Sequence, residues 1–222
     1  MKIKIVFVDM DGTIVDYPHG EYGSSWDAVM YAANKQKQSK KFLDYYLPKP
    51  ELYCEWHEKA CALLKDVQVG VVEDAILPPS YSPGAKELFR GLKRNGIVRG
   101  ILSSGTNPPA KYIEKDIDAD FCFCNEFLQK DGVFTGIGLN RVPMWDKKLT
   151  LKEICQRYGI CPDSKGIFKD AAMIGDSGND IDVFKAVGTS IAFKPKDKKV
   201  ADAADYVVED LSHALEIIRN IT

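Results

Sequence analysis

The chain has 222 residues, 45% of them hydrophobic, and its 30 Lys and Arg nearly balance 32 Asp and Glu for a net charge of −2. That balance leaves no basic stripe for nucleic acid, and no apolar stretch approaches the length of a membrane span. The size allows one full α/β domain plus a smaller subdomain.

The first predicted element is a buried strand, Ile3-Lys4-Ile5-Val6-Phe7-Val8, starting almost at the N-terminus. A chain that enters its sheet this early is not expected to carry a signal peptide. Asp9-Met10-Asp11-Gly12-Thr13 follows, two carboxylates with a glycine and a hydroxyl behind them. As a local feature this is a polar turn. At a strand end in an open α/β sheet it is also where ligands bind. Two anions so close repel, and a hard divalent cation with oxygen ligands would offset them. The later ligands of an EF-hand loop are missing.

Residues 16–80 hold no clear strand of a main sheet. One helix is predicted from about Ser24 to Tyr46, ending before Pro48, with Lys35 to Lys41 on its solvated face. A second carries Leu52, Trp56, Ala60, Leu63 and Leu64 on one side. Pro78-Pro79 and Ser82-Pro83 mark the return. A structureless loop of this length is improbable in a compact domain, so the segment reads as an inserted helical cap. The expected division is a core of residues 1–15 and 81–222 around a cap of residues 16–80.

Ala85, Leu88, Phe89 and Leu92 then follow the spacing of a core-facing helix, with Asn95-Gly96 closing it. Strand-like runs recur near 97–102, 119–124, 171–174, 189–192 and 205–208, with helical patterns between most of them. That alternation predicts a parallel, Rossmann-like sheet with right-handed crossovers. Lys130-Asp131-Gly132 between apolar runs predicts a β-hairpin. Arg99 stands inside a run that reads as a central strand, where an unpaired charge is costly, and no partner for it is evident.

Three further segments bear on chemistry. Ile101-Leu102-Ser103-Ser104-Gly105-Thr106 is another strand that breaks into hydroxyls and glycine. Lys147, in Trp145-Asp146-Lys147-Lys148, stands before a helical pattern. Ile174-Gly175-Asp176-Ser177-Gly178-Asn179-Asp180 ends an apolar strand in two acids. Singly, a Ser-Ser-Gly turn and a solvated lysine are ordinary. In this order and at these strand ends, the four segments resemble the four motifs of the haloacid dehalogenase superfamily, along nearly the whole chain. The stretches 191–196 and 131–138 also resemble its phosphoserine phosphatase-like branch.

The resemblance implies an Mg²⁺-dependent phosphatase of a small-molecule phosphate ester, working in the cytoplasm. Asp9 would be the nucleophile. Asp11 would be the general acid and base, the phosphatase-type choice at that position. Ser103 and the amides around Ser104 and Gly105 would hold phosphate oxygens, and Lys147 would offset charge on the transferring group. Lys147 keeps the family's spacing to Leu151, Ile154 and Gly159-Ile160; Lys148 competes for the role. Mg²⁺ would take Asp9, Asp176 and the backbone carbonyl of Asp11. Asp180 would orient Lys147 or the hydration of the metal, and Asn179 would support that loop. A phosphotransferase or mutase using the same aspartyl phosphate, and a regulatory protein with a vestigial site, are the competing readings.

Branch members that read phosphoserine place an acid early in the cap and an arginine later. Pro18 and Ala60 fall at those positions, with His19 and Glu21 as the near substitutes for substrate contact. No arginine occurs before Arg90, so a cap arginine clamp on a carboxylate is not available. His57 and His213 read as surface or helix-face residues. Six cysteines without a Cys-x-x-Cys pair read as reduced core thiols.

Overall fold

A computed structural model describes residues 2–18 and 23–221. In chain order it places β1 (Ile5–Val8), β2 (Val15–Asp16), α1 (Ser25–Ala32), α2 (Gln36–Tyr46), α3 (Tyr53–Ala62), α4 (Val69–Ile76), β3 (Ser80–Tyr81) and α5 (Ala85–Arg94). It continues with β4 (Val98–Thr106), α6 (Pro109–Asp116), β5 (Phe121–Lys130), β6 (Val133–Leu139), α7 (Lys147–Arg157), β7 (Phe168–Gly175) and α8 (Ile181–Phe184). The chain ends with β8 (Val187–Phe193), α9 (Lys198–Ala203), β9 (Tyr206–Val208) and α10 (Leu211–Ile221).

Seven strands form one sheet in the order β6-β5-β4-β1-β7-β8-β9, parallel except for the β5–β6 pair. The sheet is of the Rossmann-like α/β kind that the alternation predicts. β1 lies between β4 and β7, so both of its edges are paired, and helices cover both of its faces. Its side chains alternate accordingly. Val6 and Val8 enter a core with α5, α6 and α10, while Ile5 and Phe7 enter a second core with α7 and α8. Each fully buried aliphatic or phenyl side chain contributes roughly 1.5–3 kcal/mol relative to exposure. The run therefore reads as continuously apolar, as a strand buried on both faces must.

Between β1 and α5 the chain leaves the sheet. β2 and β3 form a separate antiparallel pair, Val15 opposite Tyr81 and Asp16 opposite Ser80, at the exit and the return. The helices between them share a third core: Val29, Met30, Ala60, Cys61, Leu64 and Val72 pack with Phe127 and Phe134 from the β5–β6 hairpin. That hairpin turns at Asp131 (φ 51°) and Gly132 (φ 79°), two positive φ values in succession, as a type I′ turn requires.

Four sequence expectations are corrected. The helix expected across Ser24 to Tyr46 is two helices. Asn34 adopts φ 57° and the Lys35 amide closes on the Met30 carbonyl (2.7 Å), a left-handed helix end that Asn tolerates. β4 extends through Ser103 and Ser104 to Thr106, and β5 to Lys130, beyond the expected ends. His57 is buried on α3 beside Cys61 and Trp26, rather than on the surface, and desolvation holds its imidazole pKa down. Cys54 and Cys161 are exposed, while Cys61, Cys124 and Cys155 are core thiols as expected and Cys122 is half-buried; all six are free. Arg99 finds its partners at the amino-terminal ends of β4 and β5: its guanidinium donates to Asp120 Oδ2 (2.7 Å) and to the Asp118 carbonyl (2.6 Å).

Candidate active site

The carboxyl ends of β1, β4 and β7 converge on one point. Asp9 follows β1, Ser103 and Ser104 lie on β4, and Asp176 follows β7. Beyond Asp9 the chain curls tightly: the Met10 carbonyl accepts from the amides of Ile14 (2.9 Å) and Val15 (3.1 Å). Gly12 sits in this curl at φ 82°, and a β-carbon there would collide with the Asp176 carboxylate. Glycine thus lets the first and last motifs touch.

Lys147, the first residue of α7, reaches the site with no exposed surface. Its Nζ donates to Asp9 Oδ1 (2.8 Å) and to Asp180 Oδ1 (2.7 Å), and Asp9 and Asp180 are themselves buried. Burial works against the ammonium, but Asp180 and Asp9 together outweigh it and hold the pKa above that of a free lysine. Lys148 turns away. Its amide donates to Asp182 Oδ2 (3.1 Å), and its side chain lines a separate hollow with Lys152 and Gln156.

Asp180 has both oxygens in use. Oδ1 takes Lys147, and Oδ2 accepts from the amides of Asp176 (3.1 Å) and Ser177 (3.2 Å). Burial raises its pKa, with Lys147 opposing. Asn179 supports this turn by accepting from the Ser177 hydroxyl (2.8 Å). Asp176 differs. Oδ2 faces Lys196 Nζ (2.9 Å), but Oδ1 is buried without any hydrogen-bond partner. Burial, with Asp9 and Asp180 adding repulsion, raises the Asp176 pKa.

Ligand atoms of Asp9, Asp176 and Asp180 lie within 4.8 Å of one another. A buried carboxylate oxygen without a donor is costly, and a hard divalent cation on Asp176 Oδ1 would satisfy it. The cluster therefore fits a divalent metal. Asp180, with both oxygens occupied, is a support for the cluster, and Asp9 and Asp176 are its open donors.

Asp11 is held from outside the core. Its Oδ2 accepts from the backbone N–H (2.9 Å) and the hydroxyl (2.6 Å) of Ser25, the first residue of α1. The Ser25 hydroxyl in turn accepts from the Thr106 amide (2.9 Å). Gly105 makes room for this junction, since a β-carbon there would stand 2.6 Å from both Asp11 Oδ2 and Ser25 Oγ. Desolvation lifts the Asp11 pKa to about 7; the Ser25 hydrogen bond opposes the shift and the Asp9 charge adds to it. Asp11 Oδ1 is left without a partner. A carboxyl poised in that range can give and take a proton near neutrality.

Ser103 accepts from the Gly105 amide (3.1 Å), and the Ser104 hydroxyl is buried and unpartnered. Both line the same chamber as Asp9 and Asp11. His19 and Glu21 fall outside the described residues. The structure also brings in residues to which the sequence reading gave no role, although Lys196 lies in the 191–196 stretch it singled out. Ser25 and Lys196 reach the acids, and Asn125 Nδ2 donates to the Ser104 carbonyl (2.9 Å). A serine at a helix start, a lysine after a strand and an asparagine in a strand are individually commonplace.

A family model described as haloacid dehalogenase-like hydrolase matches residues 3–188. A phosphoserine phosphatase of Methanocaldococcus jannaschii is 28% identical over 221 residues, covering 98% of this chain and 99% of that one. The phosphoserine phosphatase SerB2 of Mycobacterium tuberculosis is 26% identical across 90% of this chain, which spans about half (47%) of that longer protein. Among solved structures, a phosphoserine phosphatase as a phospho-aspartyl intermediate analogue superimposes with a TM-score of 0.77 at 28% identity, covering 98% of this chain and 100% of the other. A substrate-bound complex of a phosphoserine phosphatase gives the same TM-score and identity, covering 98% and 99%.

Proposed function

The chain belongs to the haloacid dehalogenase-like hydrolases, as a phosphomonoester hydrolase of the aspartyl-phosphate type, and we propose that Asp9 carries the phosphoryl group, Asp11 moves the proton and Mg²⁺ is the metal. The observation that carries this reading is the buried Lys147 clamped between Asp9 and Asp180, beside an Asp176 oxygen that has no donor.

The chain's own residues divide the work. Lys147 fixes the rotamer of Asp9, leaving the carboxylate aimed at the chamber it lines. An in-line attack by Asp9 on phosphorus breaks the bond to the ester oxygen. Asp11, protonated, gives its proton to the departing alcohol. As a carboxylate it then takes a proton from the water that attacks the aspartyl phosphate. Inorganic phosphate leaves, and both aspartates are regenerated. Phosphoryl transfer asks mainly for such positioning and charge balance. The Ser103 and Ser104 hydroxyls are the donors offered to phosphate oxygens, the Ser103 oxygen being held by the Gly105 amide, and Asp180 keeps Lys147 in place.

Mg²⁺, held by Asp9, Asp176 and the backbone carbonyl of Asp11, would neutralise the phosphate and draw charge off phosphorus. Magnesium suits a site with few carboxylates and no imidazole or thiolate. A cytosolic setting belongs to the same reading, supported by six free cysteines. Residues 16–80 are its cap: they leave beside Asp9 and Asp11, return through β3, and face the leaving group.

A panel of phosphate esters assayed with Mg²⁺, with and without chelator, tests the reading. Release of inorganic phosphate with water as the acceptor, lost on chelation, is the expected result. No turnover of any ester, or full activity in metal-free buffer, would overturn it.

A further inference from the structure

Above the carboxylates lies a chamber of about 950 Å³, bounded on one side by Asp9, Asp11, Ser103 and Ser104 and on the other by α1, α2 and α3. That is near the upper end of ordinary small-molecule sites, which run to roughly 1,000 Å³. A phosphate on a three-carbon amino acid would leave most of it unfilled.

Away from the phosphate end, Trp26, Met30, Leu43, Tyr53, Trp56 and Met144 form an aromatic and aliphatic wall, and Gln36, Lys37, Lys40 and Lys41 line the chamber along α2. The rings are fixed. Trp26 donates its indole N–H to the Ser104 carbonyl (3.0 Å) and meets Phe127 edge to face (4.9 Å). The Tyr53 hydroxyl accepts from Asn125 Nδ2 (3.3 Å), the same amide that holds Ser104. Trp56 meets Tyr53 at 90° (6.0 Å) and lies parallel to Tyr46 (6.5 Å). The aromatic wall is therefore tied to the phosphate cradle through one carbonyl. Pre-set rings at a fixed offset from a phosphate bind a flat group with little ordering cost. A bidentate clamp on an amino-acid carboxylate needs an arginine, and none lines the chamber among the described residues; its α2 lysines, Lys37, Lys40 and Lys41, are single-point cations on flexible stems, and Lys40 is paired with Asp44.

Resting on the phosphatase reading, we propose that the preferred substrate is the phosphate monoester of an alcohol that bears a flat aromatic ring system, seated between Trp26, Tyr53 and Trp56. The ring fills the apolar chamber while its hydroxymethyl oxygen stays beside Asp11.

The test compares four alkyl phosphates whose leaving groups are of one chemical kind: 2-naphthylmethyl phosphate, benzyl phosphate, n-propyl phosphate and phosphoserine, all with Mg²⁺. kcat/KM should rise from propyl through benzyl to naphthylmethyl, the last exceeding the first by roughly 100-fold, the scale set by burying two rings. Trp56→Ala should reduce that ratio by about tenfold, and Trp56→Phe, which keeps a ring and a packed wall, by less. Naphthylmethyl and propyl esters within about threefold of each other, or phosphoserine as the best ester, would overturn the assignment while leaving the phosphatase intact. Failure to hydrolyse any of the four would instead sink the phosphatase reading, and this assignment with it.

Discussion

Replacing Lys147 by Met removes the cation that stands between Asp9 and Asp180, at 2.8 and 2.7 Å, in a place where all three side chains are at most 4% exposed. Methionine nearly matches the length and volume, so packing is retained and charge is what changes. Removing one partner of a buried ion pair typically costs 3–5 kcal/mol, because a buried charge is left uncompensated. Here two carboxylates lose their counter-charge, and ~4 kcal/mol of stability is the expected loss in metal-free buffer. Urea unfolding followed by tryptophan fluorescence measures it. The same change should lower kcat on an aryl phosphate by about 10²–10³-fold, the usual cost of removing a preorganised electrostatic group. Lys148→Ala, whose side chain lies on the other side of α7, should stay within about 0.5 kcal/mol and keep its activity. Adding Asp180→Asn to Lys147→Met should recover about 1 kcal/mol or more, since one of the stranded charges is gone. Equal stability and equal kcat/KM for the Lys147 and Lys148 variants would refute the reasoning.

Asp9→Asn should abolish both turnover and the acid-labile phosphoenzyme while the protein still folds, and a phosphoenzyme in that variant would put the nucleophile elsewhere. Asp11→Asn should slow turnover by roughly 10²–10⁴-fold, checked by steady-state kinetics against an unchanged far-ultraviolet circular dichroism spectrum. Ser25→Ala should lower kcat roughly tenfold by releasing Asp11, and Ser25→Thr should restore most of it. Because the Ser25 hydrogen bond lowers the Asp11 pKa, the alkaline limb of the Ser25→Ala pH profile should move upward; an unmoved limb would remove Ser25 from the proton-transfer machinery. Metal-free protein should lose stability as pH rises. The Asp11 pKa is 3.8 unperturbed and about 7 when folded, and Asp176 and Asp180 shift the same way. Carboxyls with raised folded pKa values contribute stability that is full below about pH 4 and lost through about pH 7. Mg²⁺ binds the deprotonated cluster, so the rise in Tm on adding it should be larger at pH 8 than at pH 5, by several degrees; equal rises would count against the acid cluster as the metal site.

Sequence alone determined the parts of this protein whose cause is local. The run from Ile3 to Val8 had to be buried on both faces, because nothing in it is polar except Lys4. The Asp-Gly turn between apolar runs dictated a hairpin, and the run of residues 81–96 dictated a core-facing helix with its stops. The four polar strand ends carried the chemistry because each is short and contiguous, and their order pointed to one family. What the fold decided was which of those groups meet. Lys147 and Asp9 are 138 positions apart, and only the packing of α7 against the sheet puts Nζ between two acids. The family resemblance gave Asp176 and Asp180 different roles, but local spacing holds no reason for the difference. The backbone amides of their own turn saturate Asp180, and Asp176 keeps a bare oxygen. Arg99 looked unpaired because its partners, Asp118 and Asp120, precede the neighbouring strand and become adjacent only when β5 pairs with β4. The break at Asn34 turns on a single residue's tolerance of positive φ, which periodicity does not register. The place of Ser25 on Asp11, and of an aromatic wall tied to the Ser104 carbonyl, follows from the inserted helices folding back over the sheet. Contacts between segments distant in sequence are set by packing, and no local spacing encodes them.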